Sequence, residues 1–329
     1  MDLLVLARFA LNSDIQPGGV ITSSRQLYSD LSRFGVDFYC VDSYSYPSHK
    51  YINYIFVLTK AILGIFKCNR ISLNLNNNEL FFFGLPICIL SKIFLRKVVI
   101  RVFGGDLDLI AKKSFFHKYS IFFLIHLANI FYVQTYGLKE IFNKENVLVL
   151  PTSRNPKQFP PKEFIHSTKS IKALYLGGVN NDKGHQIILD SRSYFLKNNM
   201  HVFIAGHGCD SFSYDSPFIN LEFLSPELVS THLSDVDVLL FPSQHVGEGY
   251  PGSIIESLMI GTPVIASKWR FLPELIQEGY NGFLFNNTLP SFYDALDKFL
   301  CSDRFSMYEN CLSSGAKFSN EINKKLIFF

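Results

Sequence analysis

The stretch DVDVLLFPSQHVGEGYPGSIIESLMIGTPVIAS, Asp235 to Ser267, decides how the chain is read. Val236 to Phe241 is a short apolar run of strand type, and Pro242 to Gly249 is made of loop formers. A helix begins at Ser253, passes through Leu258 and stops near Gly261, and Pro263 to Ser267 reads as the next strand. Strand, loop, helix, strand is the repeating unit of a parallel α/β sheet, whose ligands gather beyond the carboxyl ends of the strands. The helix start offers unpaired N–H groups and a partial positive charge that suit a phosphate. Gly247, Gly249 and Gly252 allow the backbone to approach a ligand closely. Two carboxylates, Glu248 and Glu256, lie on either side of this turn. A capping box with Ser253 as N-cap accounts for Glu256 by spacing alone, but leaves Glu248 and the glycines unexplained. A carboxylate here can also accept hydrogen bonds from the hydroxyls of a ribose or a sugar. One acid precedes the turn and the other lies within the helix, which favours binding over a facing acid and base pair.

The same alternation extends outward in both directions. Leu3 to Ala7, Val36 to Val41, Arg70 to Asn74, Lys97 to Arg101, Asn129 to Gln134 and Asn146 to Leu150 read as strands of a first sheet, with a helix over Ile21 to Phe34. PTSRNPKQFPPKEF, Pro151 to Phe164, has four prolines and reads as a linker. Lys172 to Leu176, His201 to Ala205 and Phe218 to Phe223 then join the two strands of the opening stretch in a second sheet, and a helix follows over Ser291 to Leu300. The expected organisation is a first domain over 1–155, a second over 156–305, and a helical tail over 306–329 that returns toward the first.

Length and composition permit two such domains, because 329 residues with 48% apolar side chains can fill two cores. Six cysteines without close pairs or metal-like spacing point to buried thiols in a reducing compartment. MDLLVLARFAL lacks a basic leader and reads as a first strand, not a secretion signal. Leu80 to Leu90 and Tyr119 to Val133 are apolar but shorter than a bilayer requires. Charge is divided unevenly: residues 1–169 carry +9 and residues 170–329 carry −6. With 33 Phe and 16 Tyr in the chain, the basic half suits an anionic membrane surface or a phosphorylated lipid. No nucleic-acid reading motif accompanies the charge, so nucleic acid is not expected as a partner. No HExxH, histidine cluster or convincing DxD loop calls for a metal.

The run from Asp235 through PELI (Pro273 to Ile276) and NGFLF (Asn281 to Phe285) resembles the donor-binding signature of family 4 retaining glycosyltransferases, including their Glu, seven residues, Glu motif. The resemblance implies an α/β GT-B fold with two facing Rossmann-like domains, parallel sheets and a cleft between them. By it, Glu256 holds the donor ribose and Glu248 the transferred sugar. Gly247, Gly249, Tyr250, Pro251, Gly252 and Ser253 form the rest of the donor loop, with Gly252 and Ser253 offering N–H groups. YLGGVNNDKG, Tyr175 to Gly184, resembles the loop that supplies an arginine and a lysine to the donor pyrophosphate; Lys183 fits the lysine, but Gly178 stands where the arginine is usual. Lys183 alone would read as an ordinary surface residue. Gly18 and Gly19 resemble the family's N-terminal glycine loop near the donor phosphates. Asp106 in FGGDLD takes the place of a residue near the reacting sugar, and would otherwise be an Asx turn or N-cap. Arg101 is an acceptor-side candidate or a structural residue, and His185 and Glu274 are given no catalytic part.

By the same resemblance the chain is expected to be a retaining hexosyltransferase of the bacterial polysaccharide or lipopolysaccharide type, cytoplasmic and peripheral on the cell membrane. It would take a UDP- or GDP-linked sugar, without a metal cofactor, and pass it to a polyprenyl-diphosphate-linked or other glycan acceptor in capsule or lipopolysaccharide synthesis. Glu248, Lys183 and Asp106 are its candidate catalytic residues. A nucleotide-sugar 2-epimerase and a catalytically degenerate nucleotide-sugar-binding protein remain alternatives.

Overall fold

The structure, a computed structural model, describes residues 2–11, 18–44, 49–164, 170–209, 215–326 and 329. Residues 12–17 ahead of Gly18, residues 45–48 in the aromatic stretch after Tyr44, and residues 327–328 near the end of NKKLIFF lie outside that set. The chain divides into two compact units, Met1–Ser153 with Asn320–Phe329, and Arg154–Ser319.

The first unit holds six parallel strands, β1 (Leu3–Ala7), β2 (Phe38–Asp42), β3 (Arg70–Asn76), β4 (Lys97–Phe103), β5 (Ile130–Val133) and β6 (Val147–Val149), in the order β2-β1-β3-β4-β5-β6. All five residues of LLVLA in β1 are buried, as a central parallel strand with both faces covered requires. Its Leu4 is flanked in register by Tyr39 of β2 and Ile71 of β3. Among the described residues its helices of nine or more residues are α1 (Gly19–Arg33), α2 (Lys50–Lys67), α3 (Leu85–Ile93) and α4 (Phe115–Leu127). Right-handed crossovers put α1 on one face of the sheet, and α2, α3 and α4 side by side on the other. Residues 320–326 cover the α1 face, where Leu326 and Ile322 join Leu27 and Leu31 in one apolar cluster. Asp30 of α1 is buried there and accepts hydrogen bonds from Asn320, from Asn323 at 2.7 Å and from Gln26 at 2.8 Å. Burial raises its pKa against the pull of those donors.

The second unit repeats the plan with β7 (Ile171–Leu176), β8 (Met200–Ala205), β9 (Phe218–Asn220), β10 (Val238–Phe241), β11 (Val264–Ser267) and β12 (Gly282–Phe285), in the order β12-β11-β10-β7-β8-β9. Its longer helices are α5 (Pro226–Ser234), α6 (Gly252–Ile260), α7 (Leu289–Leu300) and α8 (Arg304–Gly315). GSIIESLMI is apolar around most of its circumference, and α6 is accordingly the buried helix, with Ile254 through Ile260 all buried and α8 laid against it. The chain leaves β7 toward β8 and β9, then returns to β10 on the other side of β7. The β7/β10 pair is therefore the topological switch point, where the loops after the two strands diverge and leave room for a ligand.

Three local expectations change. The helix after the donor loop starts at Gly252 with Pro251 as N-cap and no capping side chain, so the capping box with Ser253 does not form. NGFLF contributes a sixth strand, because a glycine at 282 lets β12 lie against the Val264 carbonyl, 2.0 Å from where a Cβ would stand. The expected strand over Phe218 to Phe223 is only three residues long.

Candidate functional site

The loops after β7 and β10 meet at the switch point. NDK, Asn181–Lys183, forms a 3-10 turn capped by Asn180, whose side chain accepts from the Lys183 N–H at 2.9 Å. Gly184 then adopts φ +72, and its α-carbon packs on the loop after β10: a Cβ at 184 would lie 2.2 Å from the Pro242 carbonyl oxygen. The Gln244 N–H donates to the Asp182 carbonyl at 2.7 Å, sealing one loop to the other. This registration brings Lys183 Nζ onto Glu248 Oε1, and the same oxygen accepts from Ser243 Oγ at 2.7 Å. Glu248 is buried and Lys183 partly accessible, so the ammonium is the side of this pair that a ligand can reach. His185, one residue beyond Gly184, is buried beside the Tyr175 ring with its pKa lowered by burial, and serves packing.

At the other end of the loop, α6 carries Glu256 just past its first turn, and the Glu256 Oε1 accepts from Arg154 Nε at 2.5 Å. The two side chains are 5% and 11% exposed. The guanidinium occupies the space a side chain at residue 252 would need, since a Cβ there would lie 2.0 Å from Arg154 Nη2 and 3.3 Å from Glu256 Oε1. Glycine at 252 thus leaves room for Arg154, and Arg154 neutralises Glu256. Tyr250 is buried between the two acids, with its hydroxyl donating to Glu274 Oε2 at 2.6 Å and its ring edge on Phe318. Trp269 Nε1 fixes the loop by donating to the His245 carbonyl at 3.0 Å.

Of the residues singled out in the sequence, Lys183, Gly247, Glu248, Gly249, Tyr250, Pro251, Gly252, Ser253 and Glu256 all fall on this one edge of the second unit. Arg154 was missed, because it stands between prolines in a segment read as a linker. The signal that could have found it was Gly252, a glycine opening a buried helix for no conformational reason.

In the first unit, Gly18 is the N-cap of α1 at φ −83 and Gly19 its first residue; a Cβ on either meets nothing within 4 Å. Nothing described in that unit's packing demands glycine there. Asp106 is the N-cap residue of a short helix, Leu107–Lys113, as its alternative reading expected, but its side chain makes no capping hydrogen bond; its Oδ1 instead accepts from Asn77 Nδ2 at 2.5 Å, bridging the segments after β3 and β4. Arg101 corrects its acceptor-side assignment: only 1% exposed, it donates from Nη2 to the Pro151 carbonyl at 2.8 Å and from Nη1 toward Asn323 at 3.4 Å. It ties the end of the first sheet to residues 320–326 and is sealed from ligand.

A separate cavity of about 220 Å³ lies at the opposite, amino ends of β7, β10 and β11, lined by Lys162, Lys172, Asp235, Asp237 and Arg304. Lys172 pairs with Asp235 at 2.9 Å and Arg304 with Asp237 at 3.4 Å, so DVD is structural. Among the described residues no three His, Cys, Asp or Glu side chains converge as a metal site would require.

Residues 170–302 match the model of the glycosyl transferases group 1 family. No curated protein matches the chain. Among solved structures, it is similar to sucrose-phosphate synthase (tll1590) from Thermosynechococcus elongatus, with 15% identity, a TM-score of 0.76, and 100% of this chain and 98% of that one covered. It is also similar to Anabaena Alr3699/HepE in complex with UDP and glucose (14%, TM-score 0.71, 100% and 98% covered) and to the lipopolysaccharide outer core galactosyltransferase WaaB (15%, TM-score 0.64, 100% and 98% covered). The chain has the α/β fold of the GT-B glycosyltransferases, two Rossmann-like units each built on a six-stranded parallel sheet.

Proposed function

We propose that the protein is a retaining glycosyltransferase that takes a sugar from a nucleoside-diphosphate donor, UDP- or GDP-linked, and passes it to a glycan acceptor, polyprenyl-diphosphate-linked or otherwise membrane-borne, in surface polysaccharide synthesis on the cytoplasmic face of the cell membrane. The observation that carries this reading is the convergence of Lys183 with Glu248, and of Arg154 with Glu256, around the bare first turn of α6 at the β7/β10 switch point. Anabaena Alr3699/HepE, of the same fold, has been solved with UDP-glucose.

The chemistry demands that negative charge growing on the departing diphosphate be stabilised while the anomeric carbon gains positive character. In this reading the Lys183 ammonium and the N–H groups opening α6 face the diphosphate, and preorganised donors of this kind contribute roughly a hundredfold or more each. Glu256, fixed by Arg154, accepts the ribose hydroxyls, and Glu248, held by Ser243, accepts those of the sugar. A diphosphate that draws Lys183 toward itself frees Glu248 for that second task. With no side chain assigned as a nucleophile, retention proceeds on one face, the leaving phosphate oxygen taking the proton of the incoming hydroxyl. Roles for Gly18, Gly19 and Asp106 rest on the family resemblance alone.

The test is a thermal-shift screen of nucleotide sugars on the wild type and Glu256→Gln, followed by transfer to a lipid-linked acceptor. One nucleotide sugar should stabilise the wild type, and Glu256→Gln should lose most of that shift while its unliganded CD spectrum stays the same. Unchanged donor affinity and turnover in the variant would overturn the assignment of Glu256. Conversion of donor without any acceptor would instead identify an epimerase, and stabilisation without turnover a binding protein.

A further inference from the structure

The sheet face of the first unit that carries α2, α3 and α4 is apolar on its outer side. Tyr51, Ile52, Ile55, Leu63 and Phe66 of α2 are exposed, Tyr51 at 84%, as are Ile89 and Ile93 of α3, followed by Leu95 at 91%. Phe115 (75%), Phe116, Tyr119 and Phe123 continue the surface on α4. Ring contacts make it continuous: Phe66 meets Phe94 edge-on at 4.7 Å, Tyr54 meets Phe82 at 6.2 Å, and Phe81 meets His117 at 5.0 Å. Scattered exposed apolar residues are ordinary on a protein surface, but a connected aromatic sheet over three adjacent helices is a binding surface.

The charge on this surface identifies its partner. Helices α2, α3 and α4 contain no Asp or Glu at all. Between residues 51 and 127 the chain has ten Lys and Arg against three acids, of which Glu79 and Asp108 are buried and Asp106 is bound to Asn77. The cations border the rings, with Lys60 Nζ 5.5 Å from the Phe56 ring centre and Lys67 Nζ 5.2 Å from that of Tyr39, in the manner of lysines whose stems lie on apolar surface while the ammonium reaches for water or phosphate. Between Leu107–Lys113, α4 and Tyr136–Phe142 a cavity of about 480 Å³ has apolar walls of Phe115, Phe122, Ile141 and Phe142, with Lys112, Lys118 and the buried Asp108 also lining it. Apolar walls beside a pair of ammonium groups suit an acyl chain joined to a phosphate. A second copy of the chain would bring these cations against their own kind, and no helix among the described residues is long and apolar enough to cross a bilayer.

We propose that the α2, α3 and α4 face of the first unit is a monotopic docking surface for an anionic phospholipid bilayer, the aromatic residues entering the acyl boundary and the lysines meeting the lipid phosphates. It gives the membrane partner of the proposed function a definite address, yet stands on its own residues and rests on no feature of the donor site. Wild-type protein is floated with phosphatidylglycerol vesicles and with phosphatidylcholine vesicles at low and at physiological salt. The expected result is flotation with the anionic vesicles only, weakening as salt rises. Phe115→Glu/Phe116→Glu should lower partitioning at least tenfold, and Lys112→Ser/Lys118→Ser should lower it several-fold per lysine at low salt while leaving the CD spectrum and donor-induced thermal shift unchanged. Leu228→Glu/Phe305→Glu, on exposed residues of the second unit, should leave flotation intact. The proposal is overturned if the wild type does not float, floats equally with neutral vesicles, or keeps its partitioning in both surface variants. It is equally overturned if sedimentation shows these residues holding two copies together. A missing donor shift with intact flotation would instead strike only the glycosyltransferase reading.

Discussion

Gly252→Ala offers a sharp test of how the candidate site is assembled. The new Cβ would stand 2.0 Å from Arg154 Nη2 and 3.0 Å from its Cζ, so the guanidinium, the far end of a flexible side chain, must shift and its pairing with Glu256 is weakened or lost. Deleting one partner of a buried ion pair costs about 3–5 kcal/mol, which is the upper limit here, because Arg154, 5% exposed beside the 11% exposed Glu256, is displaced and not removed. Alanine's better helix propensity returns at most about 1 kcal/mol. The net loss is up to about 2–4 kcal/mol, or roughly 5–15 °C in the melting temperature of a unit of this size. Urea unfolding followed by circular dichroism would measure it. The decisive comparison is the same substitution in an Arg154→Ala background, where the clash is gone and Gly252→Ala should become neutral or stabilising by up to about 1 kcal/mol. Equal losses in both backgrounds would refute the reasoning, for they would mean that residue 252 is intolerant for reasons unrelated to Arg154.

The second unit carries two further expected outcomes. Gly184→Ala must hold an L residue at φ +72 with its Cβ 2.2 Å from the Pro242 carbonyl, so it should cost at least about 2 kcal/mol in urea unfolding and should loosen Lys183 from Glu248; a variant as stable as the wild type would contradict the sealed loop pair. Burial pulls the Lys162 pKa down to about 8, below its ordinary 10.5, although its ammonium donates to the Val236 carbonyl at 2.6 Å. The unfolded chain therefore binds the proton more tightly between pH 8 and 10.5, and the group's contribution makes the fold more stable as pH rises through that window. A Lys162→Met variant should be more stable than the wild type at about pH 7 and should lose that advantage by about pH 10, as paired thermal melts would show.

Much of this architecture could be read from the residues because buried parallel strands write themselves as short apolar runs between loop formers. Leu3–Ala7 is bounded in the structure as it is in the sequence, and the alternation on both sides of the proline-rich segment corresponds to the two six-stranded sheets. Periodicity could not fix helix starts that lack a capping side chain, and Pro251 opened α6 where Ser253 was the expected cap. NGFLF was too short and too close to a glycine to announce a strand, yet it pairs along β11 over four residues. Within the site, Lys183 and Glu248 were legible as neighbours of the same ligand but not as partners of each other, since residues 65 apart in the chain meet only through the turn at Gly184. Arg154 and the sealed position of Arg101 were illegible for the same cause: a guanidinium's role depends on what lies across the fold from it, and single-sequence reading sees only what lies beside it.

The buried Asp30 has a consequence for how the protein is made. Its hydrogen-bond donors include Asn320 and Asn323, which are translated only after the whole of Arg154–Ser319. During synthesis the later-encoded unit has its complete sequence before the earlier one can satisfy this carboxylate. The N-terminal half must therefore wait on the ribosome, unfinished at one helix, for a segment encoded at the far side of its neighbour.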